Sequence, residues 1–202
     1  MRYVNKVLAA LLILAVGYLA YGIIEIRRGL FMVYDVPDQY AYAPADSDLI
    51  IIDFNKYDCT HCRILHSVLM EAIRQDGKVR YVSRSVTYSN EWEETLITAV
   101  YAAGEQGKFI ALHDVINTEW PINNRRSLFR HAKEIGLDTK QLSRDMMKTE
   151  ILEHALQNKE FFEAWRLGRM PAFLIGEKAI YMPKTTDVTV EDFLAKFKDA
   201  RS

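Results

Sequence analysis

Cysteine is nearly absent from this 202-residue chain: there are two, Cys59 and Cys62. Two cysteines cannot build a disulfide framework, so if they pair, they pair with each other. Charge of one sign is also missing. Against 26 lysines and arginines stand 27 aspartates and glutamates, a formal net charge of −1, which gives no reason to expect nucleic acid or a strongly charged partner. No glycine-rich phosphate loop and no Ser-His-Asp arrangement can be read, and there are no repeats or low-complexity tracts. What remains is a chain that is half hydrophobic. That is enough for one domain with a sizeable core, plus an accessory segment.

The two cysteines stand in Cys59-Thr60-His61-Cys62. The apolar run at 49–54 before them reads as a buried strand. Leu65, Val68, Leu69, Ala72 and Ile73 after them repeat at helical spacing. The pair therefore sits where a strand hands over to a helix. The free N–H groups and positive potential of a helix N-terminus favour a thiolate over a thiol. A protonated His61 would add to this. An acidic cysteine with a second thiol in reach is equipped for thiol–disulfide exchange. Three blander readings compete: half of a zinc site, an inert structural disulfide, and two unreactive buried thiols. Zinc needs two more ligands, and a helix points His61 and His66 in different directions, so no metal site is assigned.

Residues 7–24 form a run without charge, about 18 residues long, at the lower end of a membrane-spanning helix. Arg2 and Lys6 precede it; Glu25, Arg27 and Arg28 follow. A cleaved signal peptide is the rival reading. Its apolar core is normally shorter, and here Ile23 and Ile24 continue past the small-residue site Ala20-Tyr21-Gly22. The expectation is an uncleaved N-terminal anchor over 1–25 and a linker over 26–48, able to reach roughly 80 Å if extended. The folded domain then spans 49–202.

Within that domain the pattern predicts strand 49–54, covered on both faces, and helix 59–75 stopping at Asp76-Gly77. A more polar strand, 79–86, belongs nearer an edge. A helical block over about 88–168 opens at Asn90 and breaks near Gly107, Pro121 and Gly136. A hairpin of strands 172–175 and 178–181 turns at Gly176-Glu177. A last helix is capped by Thr189 with Asp192 three residues on, and buries Val190, Phe193, Leu194 and Phe197.

Three features could converge on the cysteines. Asp53 lies six residues before Cys59 on the strand face that carries Leu49 and Ile51. It reads either as a solvated strand-end carboxylate or as a buried acid of raised pKa serving Cys62. Cys62 shares the inward helix face with Leu65 and Leu69, which makes Cys59 the more exposed thiol. Met170-Pro171 stands directly before a strand, where proline belongs. A cis bond there would leave the Met170 backbone free to pair with an extended substrate.

Asp53-Phe54, the Cys59-Thr60-His61-Cys62 motif, the helical block between strands and Met170-Pro171-Ala172-Phe173-Leu174-Ile175-Gly176 together resemble the DsbA-like thiol–disulfide oxidoreductases of the thioredoxin fold. The resemblance covers about residues 49–200. It implies an α/β thioredoxin fold with a helical insertion between the second and third strands, here preceded by one transmembrane helix. It implies Cys59 as nucleophile, Cys62 as resolving thiol, His61 as tuning residue and Asp53 as buried acid. Thr60, Met170 and Pro171 would meet substrate. No cofactor is expected. The implied activity is insertion of disulfides into unfolded or thiol-containing exported proteins. The domain would lie outside the cytoplasm, with a membrane electron acceptor taking the electrons. A disulfide isomerase or reductase kept reduced by a partner is the second reading, and a copper-handling protein using the same cysteines is the third. Thr60 and Met170 depart from the residues commonest at their positions in that family, and Asp58 sets a negative charge beside Cys59. His113, His131 and His154 read as ordinary helix residues. Trp92, Trp120 and Trp165 read as core or groove wall, and Arg125-Arg126 as a solvated face.

Overall fold

The computed structural model describes residues 2–88, 90–177 and 179–202, with side chains for all of these except 2–11, 25, 26 and 28. Lys178 of the predicted hairpin lies outside the described residues. So do the side chains of Arg2, Lys6, Glu25 and Arg28 and those of 7–11, which are part of the predicted anchor.

The chain divides into two compact units, Met1–Asp35 and Val36–Ser202. The first consists of helix α1 (Arg2–Phe31) and a 3-10 turn, Met32–Tyr34. Among the described residues, no helix is long and apolar enough to cross a membrane.

The second unit is built on strand β1 (Leu49–Asn55). Six of its seven residues are buried, because it lies inside a four-stranded sheet of order β2-β1-β3-β4. It pairs parallel with β2 (Val79–Ser85) and antiparallel with β3 (Ala172–Ile175). Strand β4 (Ala179–Tyr181) closes the hairpin. Parallel neighbours need a crossover, and α2 (Thr60–Asp76) supplies it. Gly77 ends that helix with a positive φ of 74°, a conformation glycine adopts without strain. Leu65, Leu69 and Ile73 of α2 pack with Ile51, Phe173, Phe193 and Phe197 into one core. The two phenylalanines at the end of that set come from α8 (Val190–Arg201), which Thr189 and Asp192 cap reciprocally as the spacing predicts.

A second core belongs to the helical block between β2 and β3. It contains α3 (Glu91–Gly104), α4 (Phe109–Thr118), α5 (Arg125–Glu134), α6 (Thr139–Asp145) and α7 (Thr149–Ala164). Asn90 caps α3 through the N–H groups of Trp92 and Glu93. The chain also breaks between α6 and α7, where no glycine or proline stands. Lys148 there reaches back to Asp145 at 2.9 Å.

The domain boundary differs from the expected Leu49. The compact unit begins at Val36, so 36–48 is part of it rather than linker. Tyr40 is 4 % exposed in the helical core, and its hydroxyl donates to Glu105 Oε1 at 2.7 Å. Tyr42 exchanges both backbone hydrogen bonds with Tyr81 and so covers part of the free edge of β2. Pro37, Pro44 and scattered aspartates interrupt 36–48, so no sustained helical or strand period marks this docking in the sequence. A test follows from Gly104. A Cβ there would lie 2.5 Å from Tyr40 Cδ1 and 2.8 Å from the Gln39 carbonyl. Gly104→Ala should lower stability by about 1–3 kcal/mol through this overlap, read as an earlier thermal midpoint. An unchanged midpoint would mean that 36–48 is not held where the structure places it.

Candidate active site

Cys59 and Cys62 are joined by a disulfide. Cys59 is the N-cap of α2, and its sulfur accepts the Cys62 backbone N–H at 3.1 Å. A thiolate at that sulfur keeps the N–H and gains the helix dipole, while the first turn carries no acidic residue to oppose it. Cys62 is 3 % exposed; Cys59 is half-buried. Thr60 is exposed, and its hydroxyl accepts from Arg63 Nη2 at 3.4 Å. His61 turns outward and donates through Nε2 to the Thr185 carbonyl at 2.8 Å. That fixes its ring to the loop between β4 and α8.

Other groups shape the rim. Asp58 pairs with Lys56 at 3.1 Å, so its negative charge beside Cys59 has a counter-charge. The Asp58 N–H donates to Glu93 Oε1 at 3.1 Å. Glu93 is 1 % exposed, and burial raises its pKa. Arg63 donates to the Tyr57 carbonyl at 2.9 Å, and its guanidinium lies 4.6 Å from the centre of the Trp120 ring. Pro171 is buried and Met170 half-buried. The Met170–Pro171 peptide bond is cis, as is Trp120–Pro121. Because Ala172 pairs with Phe54, Pro171 lies at the end of β1 from which the chain runs on to Cys59.

Beneath the motif, one sheet face changes from apolar to polar. Leu49, Ile51 and Val79 give way to Asp53, Asn55, Ser83 and Ser85, all buried. Asn55 Nδ2 donates to Ser83 Oγ at 2.9 Å, and Ser85 Oγ donates to Asn55 Oδ1 at 2.7 Å. Asp53 is 2 % exposed. Burial pushes its pKa up to about 6, although the Tyr81 hydroxyl and His66 pull the other way. The solvated-carboxylate reading is thereby excluded.

The structure brings to Asp53 residues that spacing does not connect. Tyr81 Oη donates to Asp53 Oδ2 at 2.8 Å. His113 Nε2 lies 3.0 Å from the same hydroxyl, and His113 Nδ1 lies 2.9 Å from Tyr57 Oη. With the Tyr81 proton committed to Asp53, His113 donates through Nε2 and accepts the Tyr57 proton at Nδ1. Complete burial drives the His113 pKa well below its usual value and keeps the ring neutral. His66 is 3 % exposed and holds Asp114 Oδ1 at 2.8 Å through Nε2. A nitrogen from each histidine and an oxygen of Asp53 lie within 4.8 Å of one another. His113 is therefore no ordinary helix residue. Its only signal in the sequence is a polar side chain on the apolar stripe of Phe109, Leu112 and Ile116.

Comparison with known proteins gives this architecture relatives. A family model described as Thioredoxin matches residues 37–195. A thioredoxin-like oxidoreductase from Silicibacter pomeroyi superposes with a TM-score of 0.74 at 26 % identity, over 85 % of this chain and 96 % of that one. The thiol–disulfide exchange protein alpha-DsbA2 from Wolbachia pipientis gives 0.70 at 16 % identity, over 87 % and 97 %. The catalytic domain of ScsC from Proteus mirabilis gives 0.67 at 19 %, over 86 % and 97 %. Among curated proteins, the Na(+)/H(+) antiporter NhaA 3 of Salinispora tropica is 21 % identical over 182 residues. Those residues are 89 % of this chain and 27 % of the antiporter, so the chain spans about a quarter of that relative.

Proposed function

Since the chain belongs to the thioredoxin family, over residues 37–195, we propose that it is a thiol–disulfide oxidoreductase whose redox group is the Cys59–Cys62 pair. The observation that carries this reading is the disulfide at the N-terminus of α2, with the Cys62 N–H on the Cys59 sulfur. A substrate thiolate attacks Cys59 Sγ along the more open side. The Cys59–Cys62 bond breaks, a substrate–Cys59 disulfide forms, and Cys62 leaves with the electron pair and is protonated. A second substrate thiolate then attacks the substrate sulfur of that mixed disulfide and releases Cys59 as a thiolate. Two electrons have passed to the protein, and the substrate holds the disulfide. Asp53 is the acid that serves Cys62. His61 tunes Cys59, while Thr60, Met170 and Pro171 form the surface that meets substrate.

The direction of flow in this reading is oxidation of thiol-containing exported proteins. A membrane acceptor then removes the electrons. Residues 7–24 tether the protein to the cell membrane with the catalytic unit outside the cytoplasm. The support for the tether is the uncharged run itself.

In the reduced protein, Cys59 should titrate below the ordinary thiol value of about 8.5. Ultraviolet thiolate absorbance across pH, with Cys62→Ser to isolate the signal, measures it, and His61→Ala should move it upward. The oxidised protein should also pass its disulfide to a dithiol peptide. A Cys59 titration at or above about 8.5, together with stoichiometric copper on the reduced pair and no exchange, would favour metal handling and sink the redox reading.

A further inference from the structure

We infer that His66 and Asp114 form a proton port through which Asp53 exchanges its proton with solvent along the flank of α2, rather than past the cysteines. This rests on the reading of Asp53 as the acid that serves Cys62.

Asp53 has no water-facing surface to speak of, at 2 % exposure. The titratable groups that face it are Tyr81 from β2, His66 from α2 and His113 from α4. Tyr57 lies behind His113, and Asp114 behind His66. The branch through Tyr81, His113 and Tyr57 is closed. Its members are 0 %, 0 % and 1 % exposed, and both nitrogens of His113 are engaged by hydroxyls. Burial raises both tyrosine pKa values, so their hydroxyls keep their protons. That branch orients Asp53 Oδ2 and leads nowhere.

The other branch is open at both ends that matter. Asp53 Oδ1 and His66 Nδ1 are buried atoms without a hydrogen-bond partner. Such atoms are costly to leave unpaired in a core. The far nitrogen of His66 holds Asp114 Oδ1 at 2.8 Å, and the Asp114 side chain is 37 % exposed. Imidazole moves a proton by taking it at one nitrogen and releasing another from the second. The two unpartnered atoms are not hydrogen-bonded to each other, so when Asp53 must lose its proton, Oδ1–H passes it through one bridging water to His66 Nδ1. Nε2 then releases its own proton to the Asp114 carboxylate and on to water. When Asp53 must regain it, Nε2 takes a proton from that side and Nδ1 returns one to Oδ1 through the same water. The two half-reactions of a disulfide cycle alternate, so each leaves the ring ready for the other. No electrons move in this step.

The test is a double-mutant cycle on the full chain. The measured rate is multiple-turnover oxidation of a dithiol peptide, with a small-molecule disulfide regenerating the oxidised protein, so that Asp53 must both lose and regain a proton in every cycle. It is followed across neutral pH. His66→Gln should slow it about tenfold or more, within the range of a lost acid–base group. Asp114→Asn is a surface change that leaves the fold intact, and it should slow the rate in the same direction by a smaller factor. In an Asp53→Asn background, His66→Gln should cost nothing further, because both act on one proton. Added imidazole should restore rate to His66→Ala. Independent, additive losses would overturn the port, and so would wild-type pH profiles in both His66→Gln and Asp114→Asn. If Asp53→Asn slows the step while neither port variant does, the port fails and the role of Asp53 stands. A silent Asp53→Asn overturns both.

Discussion

Replacing Cys62 with serine is expected to end turnover and leave substrates held on Cys59. The two sulfurs share one bond but not one environment. Cys59 caps α2, is half-buried, and accepts the N–H that stabilises its thiolate. Cys62 is 3 % exposed on the inward face of the same helix. A substrate therefore reaches Cys59, and the mixed disulfide sits there until a second thiol arrives. Without Cys62 the protein holds no disulfide for a substrate thiol to attack. The Cys59 thiolate instead opens a disulfide already present on an oxidised substrate, and one substrate sulfur leaves as a thiolate. The resulting complex lacks the Cys62 thiol that would displace the substrate from Cys59, so it should accumulate and vanish on reduction. Cys59→Ser removes the accessible sulfur, and the shielded Cys62 should capture little. Both variants should lose disulfide transfer essentially completely. Diagonal electrophoresis of membranes from cells expressing each variant reads the capture. An impermeant thiol reagent reports the side of the membrane. Capture by Cys59→Ser instead of Cys62→Ser would reverse the two roles. Labelling from the cytoplasmic side alone would place the catalytic unit on the wrong side of the membrane for the proposed substrates.

Local chemistry made much of the fold readable. Asn90, Thr189 with Asp192, and Gly77 announce helix ends because each satisfies backbone groups in its own neighbourhood. The runs 49–54 and 172–175 announce buried strands because all of their residues are apolar save Asp53. The cysteine motif, Asp53 and Pro171 were legible because they stand next to those elements. What the pattern hid was produced by distance. His113 is 60 residues from Asp53, and its meeting with Tyr57, His66 and Tyr81 requires α4 to lie against α2 and the sheet. Glu93 stands in the first turn of α3, where the helix dipole favours an acid. It also reaches the Asp58 N–H and Lys56. The docking of 36–48 escaped for the same reason, since Tyr40 needs the gap that Gly104 leaves on α3.

Asp53→Asn should make the oxidised protein more stable at neutral pH, with a gain that depends on pH in a set way. The folded chain holds this carboxyl at about 6 against an ordinary 3.8, because burial penalises its charged form. Between those values the native state binds more protons than the unfolded one. Stability is full below the lower value, falls as pH rises through the window, and stays reduced above the upper value. A shift of about two units corresponds to about 3 kcal/mol. Asparagine carries no charge, so it escapes this penalty. Its carbonyl still accepts from Tyr81. The gap between variant and wild type should therefore open by about 3 kcal/mol from about pH 4 to about pH 8. Other titrating groups are common to both proteins and cancel in the difference. Urea unfolding of the oxidised forms at several pH values measures it, with thermal midpoints expected to separate by about 6–12 °C at the alkaline end. A gap that stays constant with pH would mean that Asp53 is ionised at little cost in the folded chain. Its raised pKa, and with it the reason to give this residue the proton of Cys62, would then fall.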